Sequence, residues 1–162
     1  MPFSQDTLAQ ELQKMVPVDN EPAGINNFAE AWEEYFSEST VAGATVVPGT
    51  LAAAPTALKT AMGGVANVDS AKAIADGIDA FWGVVETSAA TIWITVPPLA
   101  SATKPPTLGA IEAAVAAAGT ANIAAKLSLE DSADAIATAI HPNNLGGLAK
   151  NTAVPPVDIP IL

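Results

Sequence analysis

The sequence predicts a mainly α-helical domain: a bundle of repeated helix–helix units with short extended segments and an extended C-terminal arm. An α+β fold with a small sheet is the alternative. Three observations carry this. Asp69-Ser70-Ala71-Lys72-Ala73-Ile74-Ala75-Asp76-Gly77-Ile78 recurs as Asp131-Ser132-Ala133-Asp134-Ala135-Ile136-Ala137-Thr138-Ala139-Ile140, with seven of ten positions identical and a separation of 62 residues. Ala, the residue of highest intrinsic helix propensity, supplies 35 of the 81 apolar residues. The larger apolar residues recur at helical spacing.

Thr7-Leu8 opens a first helix that runs to about Val16, and Asn26-Asn27 cap a second over Phe28 to Phe36, with Phe28, Trp32 and Phe36 on one stripe. An extended segment near residues 41–47 follows. Thr50-Leu51 leads into an Ala-rich helix ended by Gly63-Gly64. Asp69-Ser70 supplies N-cap chemistry for the next helix, whose stripe is Ile74, Ile78, Phe81 and Val85 with Trp82 beside it. Thr91-Ile92-Trp93-Ile94-Thr95-Val96 is β-branched and aromatic, so residues 91–97 read as extended until Pro97-Pro98 stops them.

Residues from Ala100 to Pro106 read as a linker. Thr107-Leu108 leads into a slim Ala helix that ends at Gly119, and the second Asp-Ser copy begins the last helix, with Leu129, Ala133, Ile136 and Ile140 on its stripe. Residues 153–161 are extended. The domain thus spans 1–150 with loose repeats at about 7–49, 50–98 and 107–156, followed by a proline-rich arm at 151–162. Val96-Pro97-Pro98 and Val154-Pro155-Pro156 close the two later units.

Large apolar residues number only 46 of 162, so the core leans on Trp32, Phe36, Phe81, Trp82, Trp93 and the isoleucines. Net charge is −11, from six Lys, no Arg and 17 acids. That balance argues against nucleic acid, phosphate ligands and anionic membranes. Eight of the acids fall in residues 1–38 against Lys14 alone, a solvated face or a docking surface for a basic partner. The N-terminus has no signal-peptide pattern, and the apolar stretches are broken by Gly, Glu, Asn or Pro short of a membrane span.

The search for chemistry returns no catalytic, cofactor or metal residues. There is no Cys, and the one histidine, His141, stands at a helix C-terminus, where it acts as cap or dipole partner. Glu30, Glu33 and Glu34, and Asp76 with Asp79, read as solvated helix faces, and Gly63-Gly64 and Gly146-Gly147 as turns. The apolar, proline-stiffened tail supplies the candidate partner-binding residues: Val154, Pro155, Pro156, Val157, Ile159, Pro160, Ile161 and Leu162. It packs on its own domain or docks on a neighbour, with simple disorder as the third alternative.

Phe28-Ala29-x-Ala31-Trp32-x-x-Tyr35-Phe36, Phe81-Trp82, Ile92-Trp93 and Ala135-Ile136-Ala137-x-Ala139-Ile140-His141, set in Ala/Thr-rich units, resemble small virion structural proteins of tailed bacteriophages. The resemblance implies a non-enzymatic part of a particle (head decoration, neck, tail or baseplate), made in the host cytoplasm and located in the virion. Its partners would be other virion proteins and copies of itself in an oligomeric assembly, with no nucleic acid and no membrane. The alternative is a soluble helical adaptor or secreted bacterial protein that binds a partner.

Overall fold

The computed structural model describes residues 3–14, 21–64, 69–126 and 128–162. Among them are six α-helices and five short strands: α1 (Gln5–Gln13), α2 (Glu21–Ser37), β1 (Thr40–Val41), β2 (Ala44–Thr45), α3 (Ala53–Gly63), α4 (Ser70–Ile92), β3 (Leu99–Thr103), α5 (Ile111–Ala125), α6 (Leu129–Ile140), β4 (Leu148–Asn151) and β5 (Asp158–Pro160). The fold is mainly α with two small antiparallel sheets, β1-β2 and β3-β4-β5. α3 lies along α4, α1 sits against α2 and α6, and α5 touches α4 and α6. The expected end of the first helix near Val16 lies outside the described residues.

Local chemistry explains most of the helices, and burial adjusts their ends. The Asp69 side chain accepts from Lys72 N at 3.0 Å and starts α4. Ile78, Phe81, Trp82, Val85, Ala89 and Ile92 then form one buried stripe. That stripe corrects the extended reading of residues 91–97. Ile92 stands seven residues beyond Val85, so a last helical turn buries it completely, and this outweighs its strand propensity. The chain becomes extended only at Trp93.

The second copy of the repeat does not begin at the same helical position. Ser128 caps α6 by accepting from Asp131 N at 3.1 Å, so Asp131 lies inside the first turn, and Leu129 is 54% exposed rather than part of the stripe. Asn26 and Asn27 are interior to α2 rather than capping it. Ile25, Phe28, Ala29 and Trp32 face the core at helical spacing, and that burial outweighs a weak cap preference. Gly119 does not end α5. Glycine costs about 1 kcal/mol there, the flanking Ala residues offset it, and the helix stops at Lys126 in the left-handed conformation (φ 53).

The Ala100–Pro106 linker is largely strand β3. Its Leu99 and Ala102 are buried, Thr103 pairs with Leu148 and Leu99 with Asn151, and Lys104 N donates to Glu86 Oε1 of α4 at 3.0 Å. Pairing supplies what the Ser/Ala composition lacks. The β1-β2 hairpin turns on Ala42 and Gly43, both at positive φ, as a two-residue hairpin loop requires.

The C-terminal segment is extended as expected, and it is bonded to its own chain. β5 pairs with β4, Ile161 N donates to Gly147 O at 2.9 Å, and Leu162 exchanges backbone bonds of 2.9 and 2.6 Å with Thr40. The chain end therefore lies between β4 and β1 and joins the two sheets.

Trp32, Tyr35, Phe36, Phe81, Trp82 and Trp93 are fully buried. Phe36 is the hub, with ring centroids of Phe81 at 4.9 Å, Trp82 at 5.3 Å, Phe3 at 5.5 Å and Trp93 at 5.9 Å. Two glycines allow close approaches. A Cβ on Gly77 would stand 2.6 Å from Met62 Cγ on α3, and one on Gly147 would stand 2.7 Å from Trp82 Cη2.

Candidate functional site

The two Val-Pro-Pro motifs, 58 residues apart in sequence, come together at one end of the three-stranded sheet. Pairing of β3 with β4 sets Leu99 opposite Asn151, and Thr152 N donates to Pro98 O at 2.9 Å. The two loops therefore adjoin where Pro98 meets Thr152, while Trp93, at the other end of the first loop, bridges to Val46. The buried Asn151 side chain accepts from Ala153 N at 3.2 Å and Val157 N at 3.0 Å, which holds the second loop. In the first loop Thr95 Oγ1 donates to Pro97 O at 2.7 Å. Both Val–Pro peptide bonds are cis. At the tips Val96 and Val154 are each 98% exposed, with Ile94 and Val157 also in solvent.

The structure divides the sequence-derived set. Val154, Pro155, Pro156 and Val157 lie exposed on the loop, and Pro160 is exposed on β5. Ile159 packs against the core edge. Ile161 is a correction: its side chain is 2% exposed and belongs to the core, so it cannot meet a partner while the domain is folded. Leu162 exposes its side chain while its backbone is used by Thr40. Sequence reasoning missed Ile94 and Val96. The duplicated Val-Pro-Pro was the signal, and it read as the end of a unit because its partner strand was not recognised.

A chain of buried polar side chains crosses the core, while Trp32 Nε1 and Ser39 Oγ are buried without a hydrogen-bond partner among the described residues. Trp82 Nε1 donates to Asn144 Oδ1 at 2.7 Å, Asn144 Nδ2 donates to the Tyr35 hydroxyl at 3.4 Å, and that hydroxyl lies 2.8 Å from His141 Nδ1. The Tyr35 oxygen accepts from the amide and shares its second bond with His141 Nδ1. Burial lowers the His141 pKa and raises that of Tyr35, keeping both neutral. His141 is the C-cap of α6, as expected, its backbone N–H donating to Ala137 O. The dipole half of the expectation is corrected, because a neutral ring interacts with its helix end only weakly and its side-chain bond is to Tyr35.

Asp76 pairs with Lys72 and Asp79 with Lys104, and each hydrogen bond raises the lysine pKa. Glu30, Glu33 and Glu34 border a groove of about 520 Å³ facing Val46, Val47 and Leu51. Among the described residues no three His, Asp or Glu side chains converge as a metal site. The reading of every apolar stretch as too short for a membrane is corrected at one place. With Gly119 inside α5, the helical run Leu108–Ala125 has the length and mean hydropathy (1.4) of a spanning segment, and 17% of it is buried.

The chain is a mainly helical domain with two small sheets, and its two Val-Pro-Pro loops leave Val96 and Val154 exposed. Comparison with protein-family models, curated proteins and solved structures found no match to this chain.

Proposed function

We propose that this chain is a non-enzymatic structural component of a tailed-phage virion, present in many copies and acting through contacts with other virion proteins and with itself. The observation that carries the reading is the pair of Val-Pro-Pro loops, joined by the Thr152–Pro98 backbone bond, which leave Val96 and Val154 each 98% exposed. Covering one such side chain on association is worth about 1.5–3 kcal/mol, and the hydrogen-bonded loops lose little freedom in doing so. The Arg-free surface of net charge −11 suits a part that stays off a packaged genome. The aromatic and Ala/Thr-rich segments that resemble phage virion proteins add to this. The Trp82–Asn144–Tyr35–His141 chain serves folding, in keeping with a non-catalytic part.

The test is mass spectrometry of purified particles from the source phage, with wild type and a Val96→Asp/Val154→Asp variant. The wild-type chain should be present in many copies. The variant should fold, with an unchanged circular dichroism spectrum, and be missing from particles. Particles that lack the wild-type chain sink the reading.

A further inference from the structure

α5 is apolar and largely uncovered. Ile111 and Val115 are its buried residues, and its solvent-facing arc carries Ala113, Ala116, Ala117, Thr120 and Ile123, the last 82% exposed. A groove of about 310 Å³ runs beside this arc, between α5 and the start of α4, lined in part by Ile74, Val115, Gly119 and Ile136. We propose that this face packs against the same face of a second copy, α5 against α5, antiparallel about Gly119.

Charge selects both the occupant and its orientation. From Ala113 to Ala125 the helix has no charged residue, and Glu112 and Lys126 bracket that run. Each stands seven residues from Gly119, about 10 Å along the axis and about two turns, so the three share one side of the helix. Neither Glu112 nor Lys126 forms an ion pair among the described residues, and Lys72 nearby is already bonded to Asp76. Antiparallel pairing sets Glu112 against Lys126 of the second copy, twice. Parallel pairing sets like charge against like. The same register brings Ile123 of the second copy level with Val115, at the groove. Over much of the remaining surface the net charge of −11 makes copies repel.

One helix face is smaller than the roughly 800 Å² per partner of a stable interface, so the contact forms where copies are concentrated. In that respect the inference rests on the multi-copy reading and supplies it with a surface.

The chain has no Cys, so single cysteines report the contact on the purified full-length protein. Thr120→Cys should form a disulfide-linked dimer about tenfold faster than Ala90→Cys, an exposed site on α4. Adding Ala116→Glu should bring that rate down to the Ala90→Cys level, with helicity unchanged. Adding Glu112→Lys should slow it several-fold, and the swap Glu112→Lys/Lys126→Glu should restore it. Equal rates for the two cysteines, or a swap that fails to restore trapping, overturns the antiparallel pairing. Particle content is a separate readout. A chain absent from particles that still traps through Thr120→Cys retires the virion reading alone, and a particle-bound chain without selective trapping retires the α5 pairing alone.

Discussion

The Tyr35 hydroxyl is hydrogen-bonded to Nδ1 of His141, 2.8 Å away and 106 residues further along the chain. The bond ties α2 to the turn that follows α6. Asn144 completes it by donating to the same oxygen and accepting from Trp82.

The first consequence is a pH dependence. In the unfolded chain His141 titrates near 6.5, and burial lowers that value in the fold. Between the two values the unfolded chain holds the extra proton, so stability rises with pH across the window. The contribution is fully present above about 6.5 and is lost as pH falls through the folded value. Melting temperature should hold steady above about pH 7 and decline from about pH 6.5 downward. His141→Gln should flatten the decline that begins below about pH 6.5. An unchanged slope in that variant removes His141 from the account.

Tyr35→Phe deletes the hydroxyl and leaves an amide donor and an imidazole nitrogen without their partner. The expected cost is about 1–3 kcal/mol in urea unfolding. Combined with His141→Gln, the two losses should add to less than their sum, because both break one bond. Strict additivity argues that the two side chains do not interact.

Gly147 and Gly77 test close packing. An added Cβ at Gly147 meets the rigid indole of Trp82, whereas at Gly77 the nearest atom belongs to the flexible Met62. Gly147→Ala should cost about 1–3 kcal/mol, and Gly77→Ala should cost less because Met62 can change rotamer. The reverse order in thermal melts counts against the approach of β4 to α4 described above.

Ile161 tests the role of the chain end. Ile161→Ala should cost about 2–5 kcal/mol, as expected for a fully packed isoleucine. Deleting residues 158–162 should lower the melting temperature further, since β5 and the Thr40–Leu162 bonds go with it. A truncated chain as stable as the full one means that the segment is a free arm.

How much was legible depended on the range of the cause. The helices at Phe28–Phe36, Asp69–Val85 and Ala133–Ile140 were readable because periodicity and capping act within a few residues. Their ends were not. Ile92, Asn26 and Gly119 each carry a local preference that tertiary burial or neighbouring helix formers outweigh.

The candidate surface divided in the same way. The exposed, apolar character of Val154 to Val157 was visible in the proline-stiffened tail. The join of their two loops at Pro98 and Thr152 was not, because it depends on β3 pairing with β4 across about 50 residues.

By itself the sequence determined a mainly helical chain, an aromatic core of a few large residues and an acidic, Arg-free surface. These follow from composition and from preferences that each segment carries alone. Tertiary structure decided that residues 99–103 are a strand, that the tail closes on Thr40 and Gly147, and that two distant Val-Pro-Pro loops adjoin at Pro98 and Thr152. In each case the backbone groups of a segment with weak preference of its own are satisfied only by a distant partner, and which partner is available depends on the folded chain.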